Sequence, residues 1–505
     1  MSANAVAAPE TKPSLREVLT ARWLLFWAAF AAALAFRLFW LGDRPLHHDE
    51  GVNAWFLYKI LNGYQFSYDP DKFHGPFLFY FGVPFAVVTG LGDLALRLPI
   101  ALLSAAMLLL LLPLRHRLGV AGVTAAAWML ALSPSLVSYG RDLIHETSLV
   151  FFSLALVVAG LVYLEKRRPR DLMVAALCLG LLATIKETYV ITLAVLAIAA
   201  VLARTWAYGR PQLGKLWGRP AWEVVIWAAV AFAVPYVFLY TSFFTNPPGL
   251  VDSVRTFFLW AGKGIHGEDH AKPWHYFPLL LLGFETVTVA CAVAGGLLAI
   301  RRRDSFGTFC ALWAAGELAA YSLLRYKTPW LALNLVLPAA LAGGWLFREA
   351  FGVPWPPWPR WARAGVLVLF AAGLGWSAWR AVQVSFLRYD DDALTLVYVP
   401  THRDVKDLLA QVRGLLKQTP PGDTSALLMI GHHAWPLPWY FRDVKDMEYS
   451  QEIPDDPDAD VLIVEGDMED KLVKVLKDRY RRKEYVLRPR QKVVVFVNEG
   501  LAGGR

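Results

Sequence analysis

Two acidic segments carry the residue types that proton transfer and metal binding require. The run 47–50 is His-His-Asp-Glu, and the pair 145–146 is His-Glu. Carboxylate oxygens and imidazole nitrogens bind divalent cations, and a carboxylate can also act as a general base. We therefore expect a Mg, Mn or Zn site here, with metal-independent catalysis as the alternative. The catalytic candidates are Asp49 and Glu50, and the candidate metal ligands are Asp49, Glu146, His145 and His48.

Basic residues elsewhere in the chain have the chemistry to hold a phosphate. Arg141, Lys186 and Lys327 would act as charge-assisted donors to phosphate oxygens, and His74 is a fourth candidate for the same substrate. An acidic site beside a cationic one suits transfer from a lipid-linked phosphate, because the acceptor needs a base and the leaving phosphate needs charge stabilisation. Further candidates for the site are Glu187, His266, Glu268 and Tyr326.

Structural roles compete with these functional ones at the acidic segments. Asp49 and Glu50 could cap the amphipathic segment 50–61, since Asp is a favoured N-cap residue. Arg141 and Glu146 could form a structural ion pair, which does not exclude a part in the reaction.

The other candidates have alternatives of the same kind. The pair 186–187 could be a solvated turn at the membrane interface, and the loop 266–270 is more easily explained as solvated than as ligating. Lys327 could extend from a helix end with its ammonium in water, and His74 could be a structural residue. The stronger argument for a site is that all these residues are predicted on one side of the membrane.

The composition is that of an integral membrane protein. Of the 505 residues, 56% are hydrophobic and 18% are charged, compared with about 25% charged in soluble chains. The net charge of +8 fits basic cytoplasmic loops. Because no long basic run is interleaved with aromatic residues, nucleic acid is not an expected partner. The three cysteines lie in apolar runs and are expected to be buried thiols.

About eleven runs are long and apolar enough to cross a bilayer, which takes roughly 17 to 25 residues each. With the N-terminus inside, every basic loop cluster falls on the inner side, as the positive-inside rule requires. The apolar segment 75–90 would reverse this parity if it crossed, so we expect it at the outer interface or partly re-entrant. We expect the first span to remain uncleaved. The predicted spans are 22–41, 95–113, 119–137, 147–164, 171–185, 188–204, 221–241, 276–300, 306–324, 330–348 and 363–383.

This topology divides the chain into three parts. The tail 1–21 is cytoplasmic, 22–383 is the transmembrane domain, and 384–505 is an α/β domain outside the membrane. Within the α/β domain, the aromatic segment 435–443 is expected in the domain core or at a membrane-facing edge rather than stacked on a sugar. The outer loops are 42–94, 138–146 and 242–275. In the α/β domain, helices are predicted at 404–418 and 468–480 and strands at 426–431, 460–466 and 493–498.

The chain resembles the membrane glycosyltransferases of the C-type fold (GT-C), which use lipid-phosphate sugars. Asp49-Glu50 matches the acidic motif in the first outer loop of those enzymes. The segment 74–78 (HGPFL) is similar to the His-Pro-Pro-Leu segment of the protein O-mannosyltransferase branch. Arg141 is followed five positions later by Glu146, where that branch has Asp. The chain is more similar still to the flippase activity-associated family, through the segments HHDEG, KFHGPFL, ALRLPIAL, LSPSLVSYGRDLIHE, TIKET, YKTPW and WPLPWYFRD.

The resemblance implies an inverting transferase with an active site on the outer face of the inner membrane. It would move a sugar, a hexose such as mannose, from a polyprenyl-phosphate donor to a glycan or protein acceptor. A transport or flippase component for lipid-linked sugars is the alternative, and a non-catalytic scaffold is a third. By position, the implied roles are base for Asp49, acidic neighbour for Glu50, site organisation for Arg141 and Glu146, and phosphate binding for Lys186 or Lys327.

Overall fold

The computed structural model describes residues 20, 23–72, 74–209, 220–266, 270–352, 358–417, 425–477 and 479–499. Sixteen helices of its described part precede a small sheet domain, and they include the membrane-crossing segments. In chain order they are α1 (Leu24–Leu38), α2 (His48–Leu61), α3 (Phe77–Thr89), α4 (Asp93–Ala106), α5 (Arg115–Leu132), α6 (Pro134–Tyr139), α7 (His145–Lys166), α8 (Pro169–Ala183), α9 (Tyr189–Tyr208), α10 (Trp222–Tyr240), α11 (Gly249–His266), α12 (Tyr276–Phe284), α13 (Thr286–Arg302), α14 (Ser305–Leu323), α15 (Ala332–Phe351) and α16 (Arg360–Val382).

Six helical segments of the described chain are long and apolar enough to cross a membrane, and α12 with α13 makes a seventh if the bent pair is one span. The chain is therefore an integral membrane protein. The shorter helices α1 and α3 are also apolar, so the number of spans stays a prediction. The six are Asp93–Leu132, His145–Lys166, Tyr189–Tyr208, Trp222–Tyr240, Pro329–Phe351 and Arg360–Leu387.

The predicted span 276–300 is not one continuous helix, because the helix breaks at Glu285 and bends by 106° there. The Glu285 carboxylate accepts hydrogen bonds from the Ser133 hydroxyl at 2.6 Å and from the Ser135 backbone amide at 3.0 Å. A buried carboxylate needs such partners, and the non-helical backbone at Glu285 brings it to them.

Helix α15 lies at the centre of the helical bundle, and the whole of its most apolar stretch is buried. Its close contact with α5 depends on two glycines. A Cβ on Gly122 would lie 2.5 Å from the carbonyl oxygen of Gly344, and a Cβ on Gly344 would lie 2.7 Å from that of Gly122. Small residues allow helix backbones to approach in this way. The three cysteines are buried and unpaired, as predicted.

The C-terminal domain is a five-stranded mixed sheet with three short helices. The strand order is β2-β1-β3-β5-β4, with β1 parallel to β2 and β3, and β5 antiparallel to β3 and β4. The predicted helix 468–480 is too long, because it ends at Val475 and the chain then enters a strand that the prediction missed. The elements are α17 (Asp404–Leu416), β1 (Ser425–Ile430), α18 (Leu437–Tyr440), β2 (Met447–Ser450), β3 (Ala459–Glu465), α19 (Glu469–Val475), β4 (Tyr480–Arg488) and β5 (Gln491–Asn498).

This domain packs on helices α2 and α3, and one hydrophobic cluster runs through both. Trp439 is completely buried in it, which confirms a core position for the segment 435–443. The Tyr440 hydroxyl donates to the Asp93 carboxylate and accepts from the Leu46 amide, both at 2.7 Å. The loop that leads into α2 is therefore held between the membrane helices and the sheet domain.

Candidate active site

The first turn of α2 carries the two carboxylates that the sequence singles out. The helix is capped by His47, whose side chain accepts a hydrogen bond from the Asp49 amide at 3.1 Å. The Glu50 carboxylate in turn accepts from the His47 amide at 2.9 Å, which completes a capping box. The capping alternative therefore holds for Glu50 but not for the side chain of Asp49.

Glu50 is fully buried and bound to Arg97, a residue of α4. The guanidinium donates from Nε at 2.8 Å and from a terminal nitrogen at 2.6 Å, one bond to each carboxylate oxygen. The Leu143 amide adds a further hydrogen bond at 2.9 Å. Both oxygens of Glu50 are thus occupied, and the carboxylate ties α2 to α4 and to the loop before α7.

Arg97 also binds the backbone of the loop that precedes α2. It donates to the carbonyl oxygens of Leu41 at 3.1 Å, Arg44 at 2.8 Å and Pro45 at 3.1 Å. All five guanidinium N–H donors have an acceptor. Burial alone would raise the pKa of Glu50, but Arg97 outweighs it and lowers the pKa to about 2. Glu50 is therefore ionised at neutral pH, and through Arg97 it holds α2 against α4.

Asp49 has a different environment from its neighbour. Its side chain is partly exposed, and among the described residues its carboxylate accepts no hydrogen bond. Its charge acts on two residues from the C-terminal part of the chain, Tyr398 and Arg488. An oriented helix thus presents an unoccupied carboxylate beside a second, fully occupied one.

Arg141 does not pair with Glu146, so the predicted ion pair between them is wrong. Its guanidinium donates to carbonyl oxygens at the end of α1, including those of Phe36 at 2.8 Å and Phe39 at 2.7 Å. The group also lies 4.5 Å from the ring of Phe386. Arg141 satisfies the orphan carbonyl groups of a helix C-terminus, and 1% of it is exposed.

Glu146 forms a buried ion pair with Lys186 instead. Both side chains are at most 5% exposed. The neighbouring His145 is also buried, and its Nε2 lies 3.2 Å from the carbonyl oxygen of Gly75. The two acidic segments of the sequence therefore enter separate networks, Glu50 with Arg97 and Glu146 with Lys186.

The turn between α8 and α9 is buried, so the interpretation of 186–187 as a solvated turn is wrong. Glu187 binds the His74 ring at 2.9 Å and accepts from the Thr256 hydroxyl at 3.0 Å. The ring of Trp260 lies 4.4 Å from that of His74. Burial raises the pKa of Glu187, but His74 outweighs it and the pKa lies below its usual value.

A cavity of about 250 Å³, hereafter the apolar cavity, opens beside these residues. Its walls are mostly hydrophobic side chains of α9, α11 and α14, and they enclose three polar candidates, His74, Lys186 and Glu187. Tyr326 lines the same cavity. The structure thus brings together four candidate residues that lie up to 252 positions apart, from 74 to 326.

Lys327 is not in the lining of the apolar cavity, and only 2% of it is exposed, so it does not reach into water. Its ammonium contacts the carbonyl oxygen of Leu324, at the end of α14, and donates to that of Lys272 at 3.1 Å. Of the predicted loop 266–270, the side chain of His266 and the whole of Glu268 lie outside the described residues.

The predicted metal ligands do not come together. Over the described chain, no group of three or more His, Cys, Asp and Glu side chains is arranged to hold a metal ion. Glu146 is taken by Lys186, His145 by a carbonyl group, and His48 lies 3.0 Å from a guanidinium nitrogen of Arg488. Among the described residues, Asp49 is therefore the one predicted ligand whose side chain is not already engaged.

The residues that position the site are not among the candidates predicted from the sequence. A signal existed for Arg97, a lone cation in an apolar run, because such residues are costly unless paired or used. No local pattern points to Arg488 of β4, which lies 440 positions from its partner His48. In the sequence, Trp260 and Thr256 are unremarkable residues of an amphipathic helix. Their role is visible only from the packing of that helix against His74 and Glu187.

Comparison with known sequences finds similarity over part of the chain. The profile of the family described as dolichyl-phosphate-mannose-protein mannosyltransferase matches residues 73–216. A curated relative from Pseudomonas fluorescens, undecaprenyl phosphate-alpha-4-amino-4-deoxy-L-arabinose arabinosyl transferase 1, is 36% identical over 150 residues. That match spans 28% of this chain and 27% of the relative.

Solved structures match over almost the whole chain. ArnT from Cupriavidus metallidurans, bound to undecaprenyl phosphate, aligns with a TM-score of 0.66 at 16% identity, covering 95% of this chain and 99% of that one. The archaeal oligosaccharyltransferase AglB from Archaeoglobus fulgidus aligns with a TM-score of 0.59 at 11% identity, covering 94% and 74%. At these identities the likeness concerns the fold.

The membrane helices and the C-terminal α/β domain, with their likeness to these solved structures, define a membrane protein of the GT-C fold. Within that class, the segment 73–216 relates it to the protein O-mannosyltransferases. The predicted fold class and this relationship are confirmed. The narrower likeness to the flippase activity-associated family stays a prediction.

Proposed function

We propose that this protein transfers a sugar from a polyprenyl-phosphate donor to an acceptor at the outer face of the membrane. The observation that carries the proposal is the contrast between Asp49 and Glu50 in one helical turn. Glu50 is locked by Arg97, whereas the Asp49 carboxylate is unoccupied within the described structure. A general base must be held in place and yet have its own oxygens available.

The reaction would be a single displacement. Asp49 accepts the proton of an acceptor hydroxyl group, and the oxygen then attacks the anomeric carbon of the donor sugar. The bond from that carbon to the phosphate oxygen breaks, and polyprenyl phosphate leaves as the anion. One displacement inverts the anomeric configuration. The protein contributes proton removal, positioning and stabilisation of the phosphate charge.

The apolar cavity supports the donor side of this proposal. Its hydrophobic walls suit a polyprenyl chain, and Lys186 in its lining suits a phosphate. An ammonium group has three donors, and among the described residues only one of those of Lys186 is engaged, by Glu146. Two remain for phosphate oxygens. Lys186 can therefore bind the donor without giving up its ion pair with Glu146.

The identity of the sugar is a separate part of the proposal. The family description names mannose, whereas the name of the curated relative specifies 4-amino-4-deoxy-L-arabinose. We retain a hexose such as mannose as the proposed sugar, a glycan or protein as acceptor, and the inner membrane as location with the C-terminal domain outside. No metal takes part in the steps above.

The test is a transfer assay with purified protein in lipid nanodiscs. Donors are radiolabelled polyprenyl-phosphate mannose and polyprenyl-phosphate 4-amino-4-deoxy-L-arabinose, each with and without chelator. Asp49→Asn removes the base at constant size, and loss of a general base lowers rates by about 10²–10⁴-fold. Asp43→Asn is the matched control, because Asp43 is an exposed partner of Lys406 on the same outer loop.

Transfer that Asp49→Asn abolishes and Asp43→Asn preserves would support the proposal. Equal activity of both variants would contradict the role of Asp49. If folded protein moved lipid-linked sugar across the bilayer but transferred none, the transport alternative would replace the transferase. Unchanged activity in chelator would support the metal-free steps.

A further inference from the structure

We infer that a second cavity, between the C-terminal domain and the outer loops, binds the anionic part of a saccharide acceptor. This inference rests on the proposed transferase function. The cavity, hereafter the polar cavity, has a volume of about 530 Å³. It lies between the turn that joins β4 to β5, the loop before α12 and the segment 392–400.

The charges that line the polar cavity are mostly positive. Three cations, Lys272, Arg488 and Arg490, face a single carboxylate, that of Asp392. Arg490 lies 3.5 Å from Asp392, which leaves two cations without a carboxylate in the lining. Such a surface attracts an anion, and charge-assisted hydrogen bonds from ammonium and guanidinium groups to phosphate or carboxylate are strong.

Arg488 shows that this charge is built into the fold. Only 6% of the residue is exposed, and its Nε has no hydrogen-bond partner among the described atoms. Its other nitrogens donate to neutral acceptors, the carbonyl oxygens of His433 and Trp435 and the side chains of Gln491 and His48. The carboxylates of Glu465 and Asp49 act on this guanidinium, but neither is bonded to it among the described residues. An anionic ligand would supply the direct partner that a buried cation requires.

Lys272 supplies the second available cation. Its ammonium lies 5.7 Å from the centre of the Tyr398 ring, and within the described chain it has no carboxylate partner. Tyr276 and Tyr398 stand in the same lining. Aromatic rings beside cations suit a charged saccharide, because a sugar ring packs on an aromatic face while its acidic group meets the cations.

The polar cavity lies next to Asp49. Arg488 binds His48, the residue before Asp49, at 3.0 Å. Asp49 interacts electrostatically with both Arg488 and Tyr398. An acceptor whose acidic group lies against Lys272 and Arg488 would therefore bring its hydroxyl groups towards the base.

The two cavities are joined by aromatic contacts. Tyr326 of the apolar cavity packs on His270 with ring centres 5.1 Å apart, and His270 is hydrogen-bonded to Tyr398 of the polar cavity. Donor and acceptor would approach from opposite sides of this aromatic row. The volume of the polar cavity is that of a small-molecule site, which suits a sugar unit and not a folded protein.

The direct test is ligand binding without any donor, so that it does not depend on transfer. Full-length protein in phosphatidylcholine nanodiscs is titrated with glucose 6-phosphate, inorganic phosphate and glucose. The variants are Lys272→Gln, which removes the charge, and Lys272→Arg, which keeps it. Arg481→Gln is the control, because Arg481 is an exposed cation of β4 outside the cavity lining. Arg490→Gln, whose side chain is 89% exposed, is a second variant that spares the core.

We expect glucose 6-phosphate to bind more tightly than glucose, and Lys272→Gln to weaken it by about tenfold or more, as for loss of a hydrogen bond to a charged group. Lys272→Arg and Arg481→Gln should bind as the unaltered protein does. Phosphatidylglycerol added to the nanodisc could compete with glucose 6-phosphate for the site. Competition that is absent in Lys272→Gln would support the site and identify a lipid headgroup as the source of the anion.

Equal affinity for glucose and glucose 6-phosphate would overturn the inference. So would binding that neither Lys272→Gln nor Arg490→Gln changes. If the charged sugar binds as expected while no donor is turned over, the anion site stands and the transferase proposal fails. If sugar transfer occurs and does not depend on Lys272 or Arg490, the transferase proposal stands and the anion site fails.

Discussion

Replacing Arg97 by methionine tests how the site is held. The side chain loses its charge but keeps a similar length, so the main effect is on its partners. Glu50 loses two hydrogen bonds and the one cation bonded to it among the described residues, while the amides of His47 and Leu143 remain. Three loop carbonyl groups also lose their donor.

The expected cost follows from the burial of the pair. Neither side chain of the Glu50–Arg97 pair is exposed. Removing one member of a buried ion pair costs about 3–5 kcal/mol. The pKa of Glu50 gives a similar figure, because a fall from 4.5 to about 2 corresponds to a preference of about 3 kcal/mol for the charged form. We therefore expect Arg97→Met to lower the free energy of unfolding by about 3–5 kcal/mol.

The measurement is equilibrium unfolding in mixed detergent micelles for four proteins. These are the unaltered chain, Arg97→Met, Glu50→Leu and the double variant. Replacing both members of a buried pair by apolar residues is much less costly than replacing one. The double variant should therefore be more stable than the sum of the single effects predicts, by about 1–3 kcal/mol. Transfer activity should fall in Arg97→Met although Asp49 is intact.

Two results would refute this reasoning. One is a loss of less than about 0.5 kcal/mol in Arg97→Met, the range of ordinary surface substitutions. The other is strict additivity of the two single variants, which would mean that Glu50 and Arg97 contribute independently. If Arg97→Met were destabilised but fully active, Arg97 would contribute to the stability of the fold and not to the positioning of Asp49.

Three further outcomes are expected. Burial lowers the pKa of His48 from 6.5 to about 4. Between these two pH values the unfolded chain binds a proton on His48 more readily than the folded protein does. The contribution of His48 to the free energy of unfolding is therefore complete above pH 6.5 and declines as the pH falls towards 4. His48→Gln should flatten this slope in unfolding measured at several pH values, and an unchanged slope would exclude His48 as its source. A Cβ on Gly75 would lie 2.2 Å from the carbonyl oxygen of Thr184, so Gly75→Ala should lower the free energy of unfolding by about 1–3 kcal/mol. Gly92 has open space around it, so Gly92→Ala should not have this effect. Lys186→Met should cost about 3–5 kcal/mol by stranding its buried carboxylate partner, and Lys186→Arg should keep most of the stability; equal effects of the two would argue against the ion pair.

Local patterns in the sequence were sufficient to predict the membrane character and to select Asp49 as a candidate base. Long apolar runs and the placement of basic clusters depend on the residues themselves and on the bilayer, so they can be recognised without a structure. The strands at 459–465 and 491–498 were predicted to within two residues because their apolar runs are continuous. Tyr480–Arg488 was missed because its first half is charged and exposed.

The different environments of Asp49 and Glu50 could not be predicted, because adjacent carboxylates look equivalent in a sequence. The packing of α4 against the loop before α2 brings Arg97 to Glu50, 47 positions away. The docking of the C-terminal domain likewise brings Arg488 to His48. The sequence by itself determined which residues have reactive side chains and on which side of the membrane they are expected. Only the tertiary structure decided which of them are bound and which remain available, because pairing between distant side chains depends on how the helices and the sheet pack.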